Sequence, residues 1–388
     1  MTAVESIVAG GGAAVLAALR QAAAERNAVD LSQPAPDVTL LVPAVRRAVA
    51  AAMTAAAPGA PDPEAALLDA LARHAATSLG RAPAAGTEIL ATASVPAGLA
   101  AVAMALLSPG DEAVMIEPAP PERAVLLRRA GVLLRQVAAP AGSALPRAGL
   151  AAAVGVRTRM VVLPLPDDPG RPSFGAEDME WYRQFAGTGT FWTVADGAPA
   201  ELTWQTPAPP AAAALPGMFE RTLSIGVPVA ARGLPEVPAG WIAGPAGAIA
   251  AVAGARRMLG HGVPASTARA LAAALAHEAA ADGVWRGLAA RRERLSAVLA
   301  TAGWDIRPLA GGPALIARPP GAAGRDDETA AVRLLDGAGV LAMPQSTHYV
   351  AGEPRDMLAF RFDRPAGDIE ATATSLKKQG ATRAEGGA

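Results

Sequence analysis

The residues able to do chemistry are few and unevenly placed. The 388-residue chain has two lysines, Lys377 and Lys378, both close to its end, and no cysteine. Without thiols there are no disulfides, thiolate nucleophiles or zinc–thiolate sites. No lysine amine precedes Lys377 to condense with a carbonyl group. Of the four histidines, His74, His261 and His277 lack the i, i+4 pairing and carboxylate partners of a metal site. His348 and Tyr349, in Gln345-Ser346-Thr347-His348-Tyr349, are the best acid–base candidates, because imidazole titrates near neutrality. An exposed or structural role is the preferred reading of both. Asp167 and Asp168 could be paired carboxylates, yet adjacent side chains point apart and Asp-Asp-Pro-Gly is ordinary turn chemistry. Gly10-Gly11-Gly12 precedes no strand–helix unit and is a weak phosphate-loop signal.

The elements that must position these groups are apolar and alanine-rich. Hydrophobic residues make up 52% of the chain but aromatics only 4%, so the core is built from small side chains. The length suits a large domain plus a smaller one. A net charge of −1 argues against nucleic acid and anionic membrane as main partners. The pairs Arg46-Arg47, Arg256-Arg257 and Arg291-Arg292 lack aromatic interleaving and read as solvated helix faces or dimer contacts. The N-terminal stretch has an apolar run behind Glu5 and no basic lead. It is expected to be a helix docked on the fold rather than a signal peptide. No run reaches the length of a membrane span, and a cytoplasmic protein is expected.

Short apolar strands alternate with helical stretches from 133 to 165, as in a doubly wound sheet. Helices are expected near 43–57, 64–79 (stopped by Gly80), 246–260, 264–280 and 282–302. Strands are expected at Glu112–Glu117, Met160–Pro164 and Thr190–Asp196, and residues 206–217 read as a low-complexity surface loop.

Arg221 to Pro245, RTLSIGVPVAARGLPEVPAGWIAGP, resembles a segment of the class I/II aminotransferases, the fold-type-I pyridoxal-phosphate enzymes. Arg221, Thr222, Gly240, Trp241, Gly244 and Pro245 keep that family's frame, R-T-I-x-x-x-S-x-x-K followed by G-W-x-x-G-P. Further matches are Val29–Asp37, Glu88–Leu99, Ser108–Glu112, Leu165–Arg171, Asp196–Trp204 and Arg291–Leu295, so the resemblance runs from about residue 28 to about residue 375. It implies an α/β fold like aspartate aminotransferase. A large domain, 46–280, would hold a mixed, mostly parallel sheet between helices, with a small α+β domain at 281–388 and an N-terminal segment, 1–45, packed on it.

The same resemblance places the family's functional positions on residues of other chemistry. The Schiff-base lysine falls on Ala230, the phosphate serine on Val227 and the phosphate arginine on Pro238. Ser94 and Pro96 alter the helix N-terminus that receives the phosphate. Pro120 replaces the stacking aromatic ring, Pro199 a tyrosine, Pro34 a pocket glycine and Asp168 the asparagine at the ring oxygen. Met357 stands at the substrate-carboxylate arginine, with Arg355 and Arg361 nearby. Asp196 alone is retained, at the position that pairs with the pyridinium nitrogen, although a strand-end carboxylate also caps turns. Arg232 and Glu236 flank the vacated lysine position and read as surface-loop residues.

Proline and small apolar residues dominate these replacements, so a non-catalytic homologue is expected. It would act as a scaffold or partner subunit, as a homodimer or in a heterodimer with an active paralogue, with no bound cofactor. The alternatives are a repurposed enzyme working without pyridoxal phosphate, through Asp196, Asp168, His348 or Tyr349, and residual non-covalent binding of the cofactor. A small apolar ligand would suit the same pocket.

Overall fold

The computed structural model describes residues 11–385 except 36, 55–61, 140–144, 165–173, 197–202, 205–210, 229–239, 261, 308, 310, 322–325 and 350–355. The chain opens with helix α1 (Gly11–Glu25), strand β1 (Val29–Asp30), α2 (Pro43–Thr54) and α3 (Pro63–Leu79). There follow β2 (Ile89–Thr92), α4 (Val95–Leu106), β3 (Glu112–Glu117), α5 (Pro121–Arg129), β4 (Leu133–Ala138), α6 (Arg147–Ala153) and β5 (Thr158–Pro164). Next come α7 (Ala176–Thr188), β6 (Trp192–Asp196), β7 (Thr222–Gly226), β8 (Gly240–Ala243), α8 (Ala246–Leu259), α9 (Ala265–Leu275) and α10 (Glu278–Thr301). The C-terminal part holds β9 (Asp305–Arg307), β10 (Ala314–Arg318), α11 (Asp327–Ala338), β11 (Val340–Leu341), β12 (Met343–Pro344), β13 (Leu358–Arg361) and α12 (Ala366–Glu385).

Seven strands form one sheet in the order β2-β8-β7-β6-β5-β3-β4. Every pair from β7 to β4 is parallel, and β8 alone runs against its neighbours. Strands β2, β3, β7 and β8 are buried at every residue, the continuous apolar pattern of a sheet covered on both faces. One apolar cluster joins alternate strand residues such as Met115, Val162, Val194 and Ile225 to α4, α5 and α8. On the other face, Val114, Val161 and Ala195 pack with α6 and α7. A third cluster unites α1, α3, α9, α10 and α11 with a four-stranded sheet, β12-β13-β10-β9. Alanine lets these helices sit close, and Ala268, Ala270 and Ala274 on α9 are all buried.

Several sequence expectations need correction. Arg256 and Arg291 are buried, not on solvated faces. Arg256 donates to the Ala91 carbonyl and pairs with Glu64, tying α8 to β2 and α3. Within the expected surface loop, Ala211, Ala212 and Ala213 are buried, and Ala212–Ala214 form a 3-10 turn packed against β7. The helix expected to reach residue 280 ends at Leu275, and α10 starts at Glu278. Gly80 does stop α3, with φ 68°. Among the described residues no helix is long and apolar enough to cross a membrane.

Candidate functional site

Strands β2, β3, β5, β6 and β7 all run the same way, so Thr92, Glu117, Pro164, Asp196 and Gly226 end along one edge of the sheet. In open α/β sheets ligands bind outside this carboxyl edge. The antiparallel β8 begins there too. A Cβ on Gly240 would lie 2.7 Å from Thr92 Oγ1 and 3.0 Å from the Ser94 carbonyl carbon. Only glycine lets β8 start against the corner that leads into α4. Gly240→Ala is therefore expected to cost about 1–3 kcal/mol by overpacking. Gly247→Ala, on open surface of α8, should gain up to about 1 kcal/mol from helix propensity. Thermal unfolding of the two variants checks the contrast.

The N-terminus of α4 has its donors turned inward. Ser94 caps the helix, its Oγ accepting from the Ala97 amide at 3.1 Å, and its carbonyl accepts from the Gly98 amide at 2.9 Å. Pro96 has no amide proton to offer. Thr92 Oγ1 donates to the Ser94 carbonyl at 3.0 Å, which fixes the corner from the strand side. Along the edge, Glu117 is wholly buried and its Oε1 accepts from Gln136 Nε2 at 2.5 Å. Gln136 Oε1 in turn accepts from Arg128. Pro120 is buried at the start of α5, so its ring fills space and presents no flat face for stacking.

The 3-10 turn Gln345–His348, from beside the four-stranded sheet, docks on the corner between β3 and α5. The Ala119 amide donates to the His348 carbonyl at 3.0 Å, and Thr347 Oγ1 lies 3.2 Å from His348 Nδ1. His348 is buried and Tyr349 half-buried. Beneath the turn, the fully buried Asp327 accepts from the Ser346 amide at 2.8 Å and from Ser346 Oγ at 2.6 Å. Burial pushes the Asp327 carboxyl up to about 6, against the pull of the Ser346 hydrogen bonds and with help from the neighbouring Asp326 and Glu328 charges. No motif marks this buried carboxylate in the sequence. The one available signal is the Asp326-Asp327 pair at a helix start, where Asp326 caps Thr329.

Of the candidates that the sequence suggests, the turn brings His348 and Tyr349 to the sheet edge, and β6 brings the Asp196 backbone there. Asp168, Ala230, Pro238, Pro199, Arg232, Glu236, Arg355 and His261 lie outside the described residues. Val227 is half-buried against the largest apolar cluster, and Pro34 is exposed. Met357 is buried with Met343 and Ile316. Arg361 holds Asp363 with both arms of its guanidinium, at 2.8 and 2.6 Å, a fork already occupied by a carboxylate. Lys377 and Lys378 are exposed on α12, which packs on α10, α11 and β1 rather than on the sheet edge. Among the described residues no group of three or more histidine, aspartate or glutamate side chains could hold a metal ion.

No family model matches the chain. A probable N-succinyldiaminopimelate aminotransferase, DapC, of Mycobacterium tuberculosis is 29% identical over 265 residues, covering 67% of this chain. The match spans 66% of that relative, just under two thirds of its length. Among solved structures, the N-succinyldiaminopimelate aminotransferase of Mycobacterium tuberculosis superposes with a TM-score of 0.82 at 25% identity, over 94% of this chain and 97% of that one. The YbdL methionine aminotransferase of Escherichia coli gives 0.83 at 21% identity, over 94% and 96%. A Thermus thermophilus aspartate aminotransferase variant gives 0.77 at 21%, with the same coverage. The last two speak for the fold alone. The fold is that of aspartate aminotransferase, and the chain is similar in sequence to class I aminotransferases.

This similarity corrects the expectation of a chain without a cofactor. That expectation runs against the relatives, since aminotransferases are pyridoxal-phosphate enzymes. The residues present fit that cofactor unevenly. Asp196 ends β6 where the resemblance expects a partner for the ring nitrogen. At the α4 N-terminus the Ala97 and Gly98 amides are taken up by Ser94 and Pro96 has none, and both lysine amines sit on α12. These residues do not fit a cofactor held by an imine and a helix N-terminus.

Proposed function

We propose that the chain is an aminotransferase-like protein that binds pyridoxal phosphate without an imine and works as a non-catalytic scaffold or partner subunit. It would do so as a homodimer or beside an active paralogue, with residues 46–280 as the cofactor-type domain and 281–388 as the smaller one. The observation that carries this reading is the lysine count: two, both at the far end of the chain. A cofactor used for transamination would need a lysine amine to hold it, and none precedes Lys377. The engaged Arg361 and the buried Met357 support the same reading, since the described part of β13 offers no free guanidinium to a substrate carboxylate.

The test is the absorbance of purified protein with added pyridoxal phosphate, before and after borohydride, followed by gel filtration. The expected result is a bound chromophore that dialyses away and leaves no reduced adduct on the protein, which elutes as a stable dimer. A borohydride-fixed adduct mapped to the sheet's carboxyl edge, or transamination of an amino acid, would overturn the proposal. Unaltered spectra would remove the cofactor from it.

A further inference from the structure

We infer that the Gln345–His348 turn is a fixed roof over the sheet's carboxyl edge, latched by Asp327 whether or not a ligand is present. Three contacts fasten it from three directions. From below, both oxygens of the buried Asp327 carboxylate take the amide and hydroxyl protons of Ser346, fixing the turn in its middle. From the sheet side, the Ala119 amide donates to the His348 carbonyl, one residue before Pro120 at the exit of β3. From outside, α1 presses on the turn so closely that a Cβ on Gly12 would run into the Thr347 carbonyl group. Helix α1 also touches α5, on the far side of the same corner. Two further bonds stiffen the turn: the Gln345 amide donates to the Met357 carbonyl and Thr347 Oγ1 to the Pro344 carbonyl.

These groups are buried and already paired, so water reaches any one of them only after the contacts around it have broken as well. The turn, α1 and the β3–α5 corner therefore open together or not at all. A site that cycles substrates needs a cover that lifts; a permanent one suits a chain that holds its ligand for long periods. That last step rests on the proposed function, whereas the latch does not.

Hydrogen exchange of the full chain, measured by mass spectrometry with no ligand added, tests the latch by itself. The Ala119 and Ser346 amides should exchange as slowly as the core of β3. In Asp327→Ala both should speed up together by about tenfold or more, with Val114–Ile116 unchanged. Gly12→Val enters the roof from the opposite side and should release the same two amides, which keeps the test open should Asp327→Ala fail to fold. Rapid exchange at Ala119 in the parent, or an Ala119 rate unmoved by a folded variant, would overturn the latch. Borohydride fixation of added pyridoxal phosphate with the latch intact would instead defeat the functional reading and leave the roof standing.

Discussion

Asp327→Asn should be more stable than the parent at about pH 8 by roughly 3 kcal/mol, with the gap closing by about pH 4. The sign follows from the direction in which the carboxyl moves. Burial raises Asp327 from 3.8 to about 6, so the folded protein holds this proton more tightly than the unfolded chain does. The stability that this proton confers is complete below the unfolded value and is lost as pH rises through about 6. A rise of that size amounts to roughly 3 kcal/mol. Asparagine keeps both bonds of the latch. Its carbonyl accepts from the Ser346 amide, and its amide donates to Ser346 Oγ, which can turn to accept. What it removes is the buried charge and the repulsion from Asp326 and Glu328. The measurement is denaturant unfolding of both proteins across this range, read as the difference between them so that shared titrations cancel. A pH-independent difference would mean that the Asp327 carboxyl binds its proton equally well in the folded and unfolded states, and the shift would be refuted.

The fold was legible in the sequence because it is written in backbone-level signals. Gly240 and Trp241 stand where β8 must start against Thr92 and cross the sheet. Gly80 supplies the left-handed residue that ends α3, and β3 reads as one apolar run because both its faces are covered. For the site the sequence offers only departures from the resemblance, such as the missing amide proton of Pro96 and the missing flat ring at Pro120. Paired arginines misled. Arg256 and Arg291 look like surface charge at helical spacing, and nothing local reveals that Glu64 or Asp37 waits across the fold. The roof was missed for a related reason. Asp327 and Ser346 are 19 residues apart, and a buried carboxylate bonded to one backbone amide carries no pattern in sequence. Likewise the alanines at 211–213 suggest a loop by composition, while their small size is what lets the chain pack against β7.

The second large effect is expected at Arg291, whose guanidinium joins three stretches far apart in sequence. It donates to Asp37 Oδ2 at 2.6 Å and to Thr39 Oγ1 at 3.3 Å in the segment before α2, and to the Arg364 carbonyl at 2.5 Å just before α12. The two charged side chains are 9% and 11% exposed, so they are screened far less than a surface pair. Arg291→Ala removes the counter-charge from Asp37, leaving the carboxylate only its two Thr39 hydrogen bonds, and takes a donor from the Arg364 carbonyl, so about 3 kcal/mol of stability should go. The charge is the larger part of that loss. Adding Asp37→Asn to the arginine variant should therefore restore part of it, because a neutral amide tolerates the vacated site better than a carboxylate. A double-mutant cycle of the two positions, followed by denaturant unfolding, should return a coupling of about 1–3 kcal/mol. Near-additive losses, each below about 1 kcal/mol, would instead describe a solvated ion pair. The docking of the N-terminal segment on α10 would then rest on its apolar contacts, Leu40 against Gly287 foremost.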